Sequence, residues 1–171
     1  MRGLIIAAGA AASLAGCSGQ APVQKQEETA SKLDAGQYEA SWKVAALRSV
    51  DKTNPATNLK ADATGTTTAC VADDGTIDPA LFAEDGDTCT IGNPYMNFGR
   101  MSLELTCTRK GQQGQVRSSV SGEFKKDSLA VDVSTSTYLS GAGNYAMTRT
   151  FSAKRLGKCP PAATEPEEKK A

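Results

Sequence analysis

The chain has 171 residues, 39% of them hydrophobic, with 19 basic and 19 acidic side chains and no histidine. That length suits one domain around a single core and is too short for two. The balanced charge leaves no basic patch for nucleic acid, and the missing histidine excludes Ser-His-Asp and Cys-His centres together with the usual near-neutral proton shuttle.

At the N-terminus Arg2 precedes an apolar run from Leu4 to Leu14, with no further charge until Lys25. This reads as a secretory signal. The run gives way to Ser18-Gly19-Gln20, well short of the roughly twenty apolar residues a spanning helix needs. Its end, Leu14-Ala15-Gly16-Cys17, resembles a lipobox at all four positions. Residues 1–16 are therefore expected to be cleaved as a signal peptide, leaving a lipid-modified Cys17. The two or three acyl chains on such a cysteine hold a protein at a membrane at about 0.8 kcal/mol per buried methylene. Ser18 follows. In the proteobacterial lipoproteins that this arrangement resembles, an aspartate there retains the protein in the inner membrane, so serine implies the outer membrane, facing the periplasm. From Cys17 to residue 34 the chain is mostly Gln, Glu, Lys, Ala and Ser, which predicts a flexible tether. Residues 160–171 have the same character and predict a disordered tail.

Residues 35–159 carry a period of two. Tyr38, Ala40, Trp42, Val44 and Ala46 alternate with polar positions as one half-buried strand. The threonine-rich stretch from Ala63 to Cys70 predicts a second, weakened by Gly65. Asp78-Pro79-Ala80-Leu81-Phe82-Ala83-Glu84 predicts the one short helix, with Asp78 as N-cap and Pro79 at the first helical position. Cys89, Ile91 and Tyr95 share a parity, as do Met101, Leu103, Leu105 and Cys107. Folding the two segments about Phe98 sets 91 opposite 105 and 89 opposite 107. Val116, Val120 and Phe124 face Leu129, Val131 and Val133 across the turn Lys125-Lys126-Asp127-Ser128. Tyr145, Met147 and Phe151 mark a last strand running to Cys159. The expectation is an all-β antiparallel meander of about seven strands, a small barrel or sandwich.

With Cys17 assigned to lipid, four of the five cysteines remain, an even number that suits two disulfides in an oxidising compartment. The gaps of 18, 17 and 51 residues offer no close pair for a metal site. Directly opposed positions favour Cys89–Cys107, leaving Cys70 with Cys159, because cross-strand Cα atoms lie about 5 Å apart. Cys70–Cys89, closing the loop with the helix, is the competing arrangement.

The order of Gly36-Gln37-Tyr38-Glu39, Cys70, an acid-and-proline loop, Cys89, Cys107 and Arg155-Leu156-Gly157-Lys158-Cys159 resembles the proteobacterial envelope family known as domain of unknown function 3617. The likeness covers about residues 35–159, with Tyr38 where members usually carry tryptophan. It implies a secreted or lipid-anchored β domain with two disulfides and no established activity.

Candidate chemistry is sparse. Ser49-Val50-Asp51-Lys52 has the Ser-x-x-Lys spacing of serine acyl enzymes but lacks their companion motifs. Asp73-Asp74-Gly75-Thr76-Ile77-Asp78 places a glycine and an aliphatic residue where a calcium loop has them, while Cys70, Ala72 and Leu81 fall on ligand positions. A solvated acidic turn is the expectation there, and for Glu84, Asp85 and Asp87. Glu104 has no partner in the sequence for carboxylate catalysis. Tyr38, Trp42, Tyr95, Tyr138 and Tyr145 are expected in the core rather than lining a groove. No metal or other cofactor is expected. The function expected is a lipid-anchored envelope protein without catalytic activity, held to the membrane through Cys17, that binds an envelope protein, a cell-wall polymer or an apolar ligand. The alternative is a hydrolase built on carboxylates or on Ser49 with Lys52.

Overall fold

The computed structural model describes residues 30–161. The expected signal peptide, Cys17, most of the expected tether and residues 162–171 lie outside the described residues. Alternation of small, aromatic and β-branched residues with polar ones produces seven strands: β1 Gly36–Ser49, β2 Thr64–Val71, β3 Asp87–Asn97, β4 Arg100–Arg109, β5 Gly114–Phe124, β6 Ser128–Leu139 and β7 Tyr145–Gly157. They form one antiparallel sheet in the order β2-β1-β7-β6-β5-β4-β3, curled into a half-barrel. A meander therefore runs from β3 to β7 only. β1 then pairs with β7, and β2 and β3 lie at opposite edges.

The hairpin registers follow from the apolar parity. Cys89 pairs with Cys107 and Ile91 with Leu105, while Phe124 pairs with Leu129 and Val120 with Val133. Phe98 and Gly99, with φ of 49° and 70°, join β3 to β4, as a two-residue primed turn requires. Both disulfides join the pairs favoured from the sequence. Cys89–Cys107 spans the β3–β4 ladder with Cα atoms 4.0 Å apart, and Cys70–Cys159 has Cα atoms 5.9 Å apart. Cys70 pairs with Gln37, which on its other side pairs with Gly157, so this second bridge passes over β1.

Two bulges override the parity. In β1 the register with β7 shifts between Val44 and Ala46, so Leu47 turns inward and Ala46 is exposed, contrary to expectation. In β3 the register shifts between Gly92 and Tyr95. Asn93 there has φ of 47°, and its side chain donates to Glu104 Oε2 at 2.9 Å. Tyr95 consequently pairs with Ser102 on the outer face instead of entering the core. Tyr138 is also exposed, since it pairs with Gln115 on the polar parity. Trp42 is half-buried and lies over Gly65, where an added Cβ would meet the indole at 2.4 Å. Glycine at 65 thus makes room for tryptophan at 42.

The core fills the inner face. Tyr38, Leu103, Leu105, Val120, Val133 and Phe151 from the sheet pack with Ile77, Leu81 and Phe82 from the connection between β2 and β3. Because those strands occupy opposite edges, this connection crosses the open side of the sheet and plugs it. The helix expected there is a single 3-10 turn, Pro79–Leu81. Asp78 caps it as foreseen, accepting from Ala80 N at 2.9 Å, but Leu81 and Phe82 are held by the sheet below them and the coil goes no further. The expected tether also ends early, since Ala30 and Leu33 are buried in the core. Two apolar residues among polar neighbours gave no periodicity that marked them.

Candidate functional site

The residues singled out from the sequence mostly serve the loops. Ser49 Oγ donates to Asp51 Oδ1 at 3.2 Å, and Lys52 is exposed in a turn with φ of 64°. Asp51 also accepts from Thr53 Oγ1 at 2.6 Å, and its Oδ2 accepts from the backbone amides of Gly143 at 2.8 Å and Asn144 at 2.9 Å. These donors, Thr53 and the Asn144 amide foremost, hold its carboxyl well below the usual aspartate range. The carboxylate thereby fastens the β1–β2 connection to the β6–β7 connection. Asp74 accepts from Thr76 N at 2.8 Å, which lowers its titration. Asp73, Asp74 and Asp78 are exposed, as expected of a solvated acidic turn.

Glu84 and Asp87 depart from that expectation. Their side chains are 5% and 1% exposed, against 11% for Arg109 beside them. Arg109 donates from Nε and NH2 to the two Asp87 oxygens at 2.6 and 2.8 Å. It also donates to the Ala56 carbonyl at 2.5 Å and to Tyr145 Oη at 3.0 Å. Tyr145 in turn donates to Glu84 Oε1 at 2.5 Å, and Thr57 donates to Oε2 at 2.7 Å. The Asp87 hydrogen bonds push the Arg109 guanidinium up, and burial followed by the Glu84 charge pushes the Tyr145 phenol up. Four segments meet here: the β1–β2 connection, the plug, the β3–β4 ladder and the start of β7. Only Asp85 of the three acids is solvent-exposed.

Arg149 completes the buried charge. It is 2% exposed, donates to the Phe82 carbonyl at 2.5 Å, and stacks 5.0 Å from the Phe151 ring centroid. Its Nε has no hydrogen-bond partner among the described residues, and burial lowers its titration. Arg109 and Arg149 were missed from the sequence although a signal exists. Each continues an inward parity, Met101 to Cys107 in β4 and Tyr145 to Ala153 in β7. A charged residue in such a row must find buried partners.

Among the described residues no group of three or more metal-ligating side chains converges. Two open depressions lie on the outer face. One is bounded by Ser41, Lys43, Thr64, Thr66, Thr150 and Ser152, and the next by Ser121, Gly122, Ala130 and Asp132. Both reach Thr150, and the register places Lys43, Thr150, Asp132, Ser121 and Ser102 in one row across five strands, spaced about 4.8 Å apart. The outer face thus offers hydroxyls, the Asp132 carboxylate and the Lys43 ammonium, the last paired with Asp62 at 2.9 Å.

A protein-family model described as "Protein of unknown function (DUF3617)" matches residues 33–159. No curated protein and no solved structure matches the chain.

Proposed function

The chain belongs to the DUF3617 family of proteins of unknown function, and from that premise, which brings no activity with it, we propose a lipid-anchored, noncatalytic module of the bacterial envelope that binds a polar polymer of the cell wall on its outer face. The anchor rests on Leu14-Ala15-Gly16-Cys17, and the two disulfides suit an oxidising compartment. Ser18 after the anchor favours the outer membrane.

The observation that carries the binding reading is the distribution of polar groups. The inner face is filled by Leu81, Phe82 and the strand core, which argues against an apolar ligand inside the curl. The acids and the phenol best suited to proton transfer, Glu84, Asp87 and Tyr145, are buried and bonded to Arg109 and to one another. That leaves the row from Lys43 to Ser102 facing solvent. Hydroxyl, ammonium and carboxylate groups on a strand-spaced lattice match the repeating hydroxyls and amides of a glycan chain.

Two measurements test this reading. Labelled palmitate should enter the wild-type protein in cells and be absent from Cys17→Ser. The purified domain should sediment with isolated cell-wall sacculi, and Thr150→Val with Asp132→Ala should abolish that sedimentation while leaving the melting temperature within a few degrees. Sedimentation no greater than that of an unrelated periplasmic protein would overturn the polymer reading.

A further inference from the structure

The chain enters the described domain at Ala30, whose carbonyl accepts a hydrogen bond from Gly99 N at 2.8 Å. The polypeptide leading from Cys17 therefore arrives at the tip of the β3–β4 hairpin. Only twelve residues lie between Cys17 and Ala30, so this tip lies no more than about 45 Å of chain from the lipid-bearing residue.

Among the described residues the same tip carries exposed apolar surface. Phe98 is 69% exposed and Tyr95 54% exposed, while Met96 beside them turns inward and packs against the core. Both aromatics are placed outward at a cost to the backbone. Phe98 has φ of 49° in a turn position that asparagine or glycine occupies with less strain. Tyr95 points outward only because of the bulge at Asn93, itself at positive φ and fixed by Glu104. An exposed phenylalanine where asparagine is easier, beside a tyrosine turned out by a bulge, points from an observed outlier to a use.

We propose that the β3–β4 hairpin tip is a membrane foot: Phe98 and Tyr95 enter the lipid–water interface of the bilayer to which Cys17 is tethered and set the orientation of the domain on it. Amphipathic and apolar rings are favoured at that depth, and the tether delivers this end of the sheet, and not the opposite end with Asp51 and Arg109, to the surface. The inference deepens the anchoring reading and rests on it.

The test uses the full lipidated protein reconstituted in vesicles of phosphatidylethanolamine and phosphatidylglycerol. Phe98→Trp should shift its emission to the blue and be quenched by lipids brominated in the upper acyl chain, over and above the signal of Trp42 in the wild type. Phe98→Asn, which suits the turn, should unfold at higher urea than wild type in solution. In a Cys17→Ser background Phe98→Asn should weaken residual vesicle sedimentation by roughly tenfold, as loss of a partly buried ring predicts. A Phe98→Trp signal no more quenched than Trp42, or sedimentation unchanged by Phe98→Asn, overturns the foot. Failure of palmitate to label Cys17 overturns the anchor instead, so the two readings fail separately.

Discussion

At Glu84 a carboxylate with almost no solvent accepts from Tyr145 and Thr57 and faces Arg109 at 3.3 Å. Removing one member of a buried ionic set leaves the others uncompensated, at about 3–5 kcal/mol. Glu84→Ala is expected to lose that much in urea unfolding, and Glu84→Gln less, since its amide oxygen still accepts from Tyr145. Tyr38 tests a different balance. Its hydroxyl faces the Asp34 carbonyl at 2.9 Å and the Lys126 carbonyl at 3.0 Å, and burial, with the Asp34 charge second, pushes its phenol from 10.0 up to about 12. Below pH 10 the folded and unfolded chains both hold this proton, so its contribution is fully present. Between pH 10 and about 12 the unfolded chain releases the proton and the folded chain keeps it, so stability falls as pH rises. Tyr38→Phe should cost about 1 kcal/mol at neutral pH and show a shallower alkaline decline. A slope remains in that variant because Tyr145 is shifted in the same direction.

At the scale of the elements, the disulfides divide the work unequally. Cys70–Cys159 closes a separation of 89 residues and Cys89–Cys107 one of 18. On chain entropy alone the long loop is worth about 4.5 kcal/mol and the short one about 3. Paired Cys→Ser replacements should therefore lower stability more at 70 and 159 than at 89 and 107, read from urea midpoints under non-reducing conditions. The order also follows from position, because the longer bridge ties edge strand β2 to the end of β7 across β1, while the shorter one repeats a contact that the β3–β4 ladder already makes.

Over the whole molecule, one sheet curls around a plug contributed by the connection between its two edges. β7 lies between β1 and β6 and packs on Phe82 through Phe151, whose ring centroid is 5.7 Å from that of Phe82. Strands flanked on both sides open only with the global transition, whereas edges open locally. Native-state hydrogen exchange should show the slowest amides in β7 and β6 and faster ones in β2 and in β3 beyond its bulge. Uniform protection across all seven strands would contradict a half-barrel with two open edges.

Strand identity, the two hairpin registers and the Cys89–Cys107 pair were legible in the sequence, because a two-residue period and opposed cysteines are local properties of a ladder; Cys70–Cys159 was reached only as the pair left over, with Cys70–Cys89 still open. Legible too was the Asp78 cap, which needs only three neighbouring residues. The strand order was not, since the pairing of β1 with β7 joins segments about a hundred residues apart and is set by closure of the curl. Tyr95 and Ala46 escaped the parity because a single inserted residue reverses every face beyond it. Glu84 and Asp87 read as solvated acids beside a turn; Asp87 is buried opposite Arg109 in the β3–β4 ladder, one step beyond the register already read from the cysteines, and Glu84 because the plug carries it over Arg109 and onto Tyr145 of β7, which only the tertiary fold brings there. The sequence by itself determined the β class, the hairpin registers and the Cys89–Cys107 pair, all encoded within short windows. The burial of Glu84 and Arg149 and the filled inner face were decided by packing between distant segments, and the exposed aromatic tip by a bulge and a turn that break the two-residue period.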